Sequence, residues 1–282
     1  MGLRYTYTSM QEMEKLNGAV TAVYAHWPRF ALLYGGMVAS LLFMGISLDR
    51  GWLSFVPLAT AVLLILAYFF LASLWAVYQL YDRRGLRPAH ILFDMGQLLP
   101  EDRLVYVDVG RRYRPILLSR RLTIGHITVV DIFNPQWMAA GVLARWRRHL
   151  PHPQPDPRLS WREGQFDLLP LPDDSAKAIM LCQVTSPIWE HGDRLALLQE
   201  AYRVLQPDGR LLFAEQSRTQ TTWLTAGPAA AQLPTAAYWR NLLAEAGFRI
   251  QREQNPNGLI TLIRAQKPGA TQVRQLAFDL KF

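Results

Sequence analysis

The chain has 282 residues, half of them hydrophobic, and a formal net charge of +8. That length holds one good-sized domain plus an appendage, and the hydrophobic share directs attention to membrane segments. Cys182 is the only cysteine, which excludes an intrachain disulfide and a zinc site built on cysteines.

Residues 1–30 read as a cytoplasmic interfacial segment. Ser9 to Glu12 fits a capping box opening a helix, and Met1-Gly2 with Thr6 matches a weak myristoylation pattern. Two uncharged apolar runs follow, Ala31 to Leu48 and Trp52 to Leu80, separated by Asp49-Arg50-Gly51. The first spans about 27 Å as a helix, enough for a hydrocarbon core. Residues 31–80 are therefore expected to form a two-helix transmembrane hairpin. Pro57 falls in the first turns of the second helix, where a missing N–H is tolerated. Trp27, Trp52 and Trp75 lie at interfacial depths. Arg4, Lys15 and Arg29 precede the hairpin and Arg83, Arg84 and Arg87 follow it, so both termini and the main domain are expected in the cytoplasm, at a bacterial-type inner membrane. The runs start too far from Met1 for a typical signal peptide. Gly35-Gly36 and Ala39 offer close-packing positions for a neighbouring helix.

Residues 81–101 read as a linker. From there short apolar strands alternate with helices. Strands are expected at Leu104 to Gly110, Ile127 to Phe133, Ala178 to Val184, Arg210 to Ala214, Phe248 to Glu253 and Leu259 to Arg264. Helices are expected at Trp137 to His149, Asp193 to Leu205 and Thr235 to Ala246, with a proline-rich loop at Pro151 to Pro157 and a hairpin turn at Asn255 to Gly258. The alternation implies a mostly parallel sheet with an antiparallel edge. Cys182 falls in one of these strands and reads as a core residue.

Three runs carry a resemblance: Trp161 to Leu181 (WREGQFDLLPLPDDSAKAIML), Leu197 to Gln216 (LLQEAYRVLQPDGRLLFAEQ) and Tyr238 to Phe248 (YWRNLLAEAGF). They resemble the fourth-strand entry, the Glu-x-x-Arg-Val-Leu helix with its turn and fifth strand, and the last helix of the class I S-adenosylmethionine-dependent methyltransferases (methyltransferase type 11-like). The resemblance covers residues 102–267 and implies a Rossmann-like fold, with a mostly parallel seven-stranded sheet and an antiparallel terminal hairpin. Residues 268–282 then form a C-terminal tail.

The family binds its cofactor on a Gly-x-Gly-x-Gly loop after the first strand, where glycine lets the backbone approach the ligand. Here Asp108 and Gly110 keep the start of that loop, Asp131 stands where the family holds the ribose, and Asp167 stands near the adenine position. The other two glycine positions carry Arg112 and Arg114. One arginine could pair with the methionyl carboxylate, but the bulk and charge of several on one loop argue against a cofactor that is already cationic. An arginine head could instead fill the pocket and pair with Asp131 or Asp108. S-adenosylmethionine is thus one expectation and no cofactor the other, and the arginines favour the second.

Glu190 and His191, after Ser186-Pro187, offer a base in such a family; the alternative is a solvated loop pair. No metal site is expected, since His149 and His152 stand beside no suitable acids. Arg111, Arg112, Arg114, Arg120 and Arg121, with Arg145, Arg147 and Arg148, form basic clusters suited to anionic lipid headgroups. No nucleic-acid reading motif is present. Two functions follow. One is a non-catalytic, accessory subunit of a respiratory- or photosynthetic-type membrane complex, with the hairpin and N-terminal segment contacting other subunits and the bilayer. The other is an active methyltransferase acting on a lipophilic quinone, lipid or pigment at the membrane surface.

Overall fold

The computed structural model describes residues 18–83, 86–136, 138, 140–149 and 155–269. The capping box at Ser9, the myristoylation pattern, most of the proline-rich loop and nearly all of the C-terminal tail lie outside the described residues. The chain packs as two compact units: Met1–Arg84 with Gln220–Ala231, and Gly85–Thr219 with Gln232–Phe282.

The first unit holds helices α1 (Gly18–Ala25), α2 (Trp27–Asp49) and α3 (Val56–Tyr81), the last two joined through a 3-10 turn at Leu53–Phe55. Pro28 and Pro57 sit in the opening turns of α2 and α3, where no intrahelical donor is lost. Both helices are long and apolar enough to cross a membrane. Only 6% of the most apolar window of each is buried, whereas the core helix of a soluble domain hides most of its apolar face. Leu32, Leu42, Leu64 and Leu71 all stand more than half exposed. Gly36 lets the two helices approach, since a Cβ there would stand 2.9 Å from Leu66 Cδ1. Gly35 faces open space. Gly36 thus packs the hairpin against itself, whereas Gly35 and Ala39 are exposed.

Helix α8 (Gln220–Ala226) and the 3-10 segment Gly227–Gln232 complete this unit. Arg29 Nη2 donates to Ser73 Oγ at 3.0 Å and to the Thr225 carbonyl at 3.2 Å, and Ser73 Oγ donates to the same carbonyl at 3.1 Å. These bonds span 196 and 152 residues of sequence. Loop closure of that length costs entropy that local sequence does not offset.

The second unit is built on seven strands: β1 (Arg103–Asp108), β2 (His126–Asp131), β3 (Leu159–Glu163), β4 (Ala176–Cys182), β5 (Leu205–Gln216), β6 (Arg249–Gln254) and β7 (Ile260–Gln266). Their order is β3-β2-β1-β4-β5-β7-β6. β1 to β5 run parallel, and β7 lies antiparallel to both β5 and β6. The central strands are buried along nearly their whole length, as helix-covered parallel strands must be. Edge strand β3 reads LSWRE with no residue fully buried, so no apolar run announced it in the sequence.

Helices α4 (Pro88–Met95), α5 (Tyr113–Ser119), α6 (Ala140–His149), α7 (His191–Val204) and α9 (Ala236–Glu245) fill the faces. Helix α4 lies inside the span expected to be a linker. Ala89, Leu92, Phe93 and Met95 bury one side of it, and Gly96 follows where a Cβ would stand 2.8 Å from Leu212 Cδ1. Eight residues are too few for helical periodicity to be read.

The Glu-x-x-Arg motif has a clear physical role. Glu200 Oε2 accepts from the Leu169 amide at 2.9 Å. Arg203 binds Glu200 at 2.7 Å and donates to the carbonyls of Leu169 and Leu171 at 3.1 and 3.0 Å. One helix turn thereby clamps the segment entering β4. Arg203 holds the Glu200 carboxyl below the ordinary range. Trp239 is fully buried, 5.6 Å from Phe213, with its Nε1 donating to the Gln216 carbonyl at 3.1 Å.

Candidate cofactor-binding site

In open α/β sheets ligands sit beyond the carboxyl ends of the strands, where strand order reverses. Here the reversal lies between β1 and β4, flanking Asp108 and Cys182. Gly110 adopts φ +89, a conformation that side chains resist, and its amide donates to Asp108 Oδ2 at 2.9 Å. A Cβ at Gly110 would rest 3.5 Å from Arg147 Nη1 and 3.8 Å from Phe133 Cδ2. Asp131 stands level with Asp108 across the β1–β2 ladder.

Three arginines converge on these strand ends. Arg114, in the first turn of α5, is 5% exposed; its Nη1 donates to the Cys182 carbonyl at 2.7 Å and its Nη2 to Gln183 Oε1. Arg111 Nη1 donates to the same Gln183 oxygen at 2.8 Å. Gln183 holds φ +56 directly after β4, which turns its side chain toward the two guanidinium groups. Arg147, from α6, binds Asp131 Oδ2 at 2.8 Å and lies 4.9 Å over the Phe133 ring. The remaining Asp131 oxygen accepts from the Phe133 amide at 3.1 Å.

Asp131 is paired with Arg147 of the next helix and not with a loop arginine. Arg114 turns away to β4. Arg112 caps α5 at φ −18 and ψ −28. Burial pushes the Asp108 carboxyl up to about 6, the Asp131 carboxylate adds to the rise, and Arg111 and Arg114 with the Gly110 amide pull the other way. Burial also raises the Cys182 thiol, so Cys182 sits in the core as an un-ionised group.

Asp131, where the resemblance places the ribose hydroxyls, has one oxygen bound by Arg147 and the other by the Phe133 amide. Asp167 is exposed in the tight turn between Gln165 and Leu168 that follows β3. The sequence singled out Asp108, Gly110, Asp131, Arg112 and Arg114; it missed Gln183 and the reach of Arg147. For Arg147 the only signal was its place in a basic helix.

Glu190 is the exposed N-cap of α7. His191 is half exposed, with Nδ1 3.1 Å from Tyr238 Oη and Nε2 3.1 Å from Glu245 Oε2. This arrangement ties α7 to α9 on the surface. Glu215, at the end of β5, is fully buried, accepts from the Thr185 amide at 2.6 Å and from Ser186 Oγ at 2.5 Å, and so braces the loop after β4. Of the basic cluster, Arg111 and Arg114 turn inward, and Arg121 pairs with Asp94 at 2.6 Å while stacking on Phe93. Among the described residues no cluster of metal-ligating side chains occurs.

Residues 110–213 match the family model described as a methyltransferase domain. Among curated proteins no match was found. The solved structure of an S-adenosylmethionine-dependent methyltransferase from Aquifex aeolicus superposes with a TM-score of 0.50 at 17% identity, covering 67% of this chain and 92% of that one. The [4+2]-cyclase SpnF gives 0.48 at 18% identity over 65% of this chain and 81% of its own. Human N-acetylserotonin methyltransferase in complex with S-adenosylmethionine gives 0.47 at 22% identity over 72% and 55%. With the strand order above, the sheet domain of this chain has the class I S-adenosylmethionine-dependent methyltransferase fold.

Proposed function

We infer that this chain is a membrane-anchored, methyltransferase-like protein whose cofactor site is closed by its own arginines, and that it serves as a non-catalytic, accessory subunit of a membrane assembly. The observation that carries this reading is the pairing of Arg147 with Asp131, together with Arg111 and Arg114 on Gln183. A site that supplies its own cations to its own acceptors has no vacancy for a cationic ligand. The anchor is the α2–α3 hairpin, whose exposed apolar surface suits a bilayer. Exposed Gly35 leaves room for a neighbouring subunit's helix.

The test is titration calorimetry of the detergent-solubilised full chain with S-adenosylmethionine. The wild type gives no binding heat, and Arg114→Ala with Arg147→Ala gains measurable affinity. Tight wild-type binding overturns the reading and returns the protein to the enzymes, acting on a lipophilic substrate at the membrane surface. Co-purification in mild detergent at fixed stoichiometry with other membrane subunits tests the accessory role; elution as a lone monomer opposes it.

A further inference from the structure

Within the helical unit, Arg29, Leu32, Leu33 and Phe69 line a pocket of about 400 Å³, closed by residues 226–228. It is apolar except for Arg29. Among the described residues that guanidinium donates through Nη2 alone, to Ser73 and to the Thr225 carbonyl. Among the described residues no carboxylate pairs with it. A half-buried cation at an apolar pocket, held in place from one side only, is complementary to an anion that carries its own hydrocarbon.

Depth points to the source of that anion. The Arg29–Ser73–Thr225 node is flanked by three tryptophans, each two residues from one of its members: Trp27, Trp75 and Trp223. They are 54%, 45% and 45% exposed. Trp27 and Trp75 belong to the two helices long and apolar enough to cross a membrane, and tryptophans so exposed near the ends of such helices sit at the level of lipid headgroups. The node then lies where phosphates are, and Leu32, Leu33 and Phe69 lie where acyl chains begin.

We propose that this pocket binds an anionic phospholipid, with its phosphate on Arg29 and the start of one acyl chain against Leu33 and Phe69. Arginine suits the role because its fork keeps Nη1 and Nε for the phosphate while Nη2 stays on the protein. Since α8 contributes the Thr225 carbonyl and residues 226–228 form one wall, the lipid would staple the 220–231 segment to the hairpin. The inference rests on the hairpin spanning a bilayer.

The test is native mass spectrometry of the full chain in detergent, titrated separately with phosphatidylglycerol, phosphatidylcholine and water-soluble glycerol 3-phosphate. Phosphatidylglycerol is retained about fivefold more strongly than phosphatidylcholine, and glycerol 3-phosphate is not retained. Arg29→Gln abolishes the preference. Leu33→Trp, which leaves Arg29 in place and fills the pocket, weakens retention of both lipids. An unchanged preference in Arg29→Gln, unchanged retention in Leu33→Trp, or equal binding of glycerol 3-phosphate each overturns the proposal. Carbonate extraction of the same membranes separates it from the anchoring reading. Release of the chain overturns both, and firm retention without a phosphatidylglycerol preference overturns the lipid site alone.

Discussion

Two arginines in this chain occupy opposite situations. Arg114 is buried in the sheet domain and donates to the Cys182 carbonyl and the Gln183 amide oxygen, with Arg111 sharing the latter. Arg29 is half buried in the helical unit, bonded through one nitrogen, with no carboxylate among the described residues. Where the chain supplies acceptors all round a guanidinium, the cation becomes part of the fold. Where it supplies them on one side only, the cation remains a recognition group. The difference lies in the number and direction of acceptors, since both heads carry the same charge.

The largest effect that would break this contrast is on stability. Arg114→Ala leaves a buried carbonyl and a buried amide oxygen short of donors, and is expected to destabilise the full chain by about 3 kcal/mol in thermal unfolding in detergent. A loss near zero would mean that Arg114 is dispensable packing.

An effect of similar size should appear in pH. The folded Asp108 carboxyl titrates at about 6, above its unfolded value. The proton is therefore held more tightly in the folded state. The stability this contributes is fully present below the unfolded pKa and is lost as pH rises through about 6. Burial makes it roughly 3 kcal/mol between acid and neutral pH. Asp108→Asn, which can still accept the Gly110 amide, should flatten the unfolding midpoint across that window. An unchanged slope in the variant would assign the pH dependence elsewhere.

Arg147→Ala is expected to cost about 1 kcal/mol, because the pair with Asp131 is partly exposed. Its sharper readout is affinity. Freeing Asp131 should strengthen S-adenosylmethionine binding measured by calorimetry in an Arg114→Ala background, and no gain there would mean that Asp131 is not the ribose contact. The smallest effect belongs to Arg29→Gln. Its lost hydrogen bonds are offset by removal of an unpaired, desolvated charge, so lipid-free unfolding should move within about 0.5 kcal/mol. A loss as large as that of Arg114→Ala would show Arg29 to be a folding residue and erase the contrast.

Much of the architecture was legible from local pattern. Two uncharged runs either side of Asp49-Arg50-Gly51 announced the paired helices, since uninterrupted apolarity at that length has few other uses. The buried strands and the Asn255–Gly258 turn were readable because burial on both faces and tight reversal each restrict residue type. Strand β3 and helices α4, α5 and α8 were not, being short or half polar. At the candidate site, Asp108, Gly110 and Asp131 were found by their places at strand ends. Gln183 carries no pattern at all.

By itself the sequence determined which segments are apolar enough to leave water, which strands lie inside a parallel sheet, and that arginines stand where the resemblance places loop glycines. Tertiary structure alone decided where each guanidinium went: Arg114 to the end of β4, Arg147 back to Asp131, and Arg29 to a carbonyl 196 residues away. The reason is physical. Hydrophobic period and turn chemistry act between neighbours in sequence, and so are written locally. A long, charged side chain chooses among acceptors within reach in space, and those are assembled only when the strands and helices have closed around it.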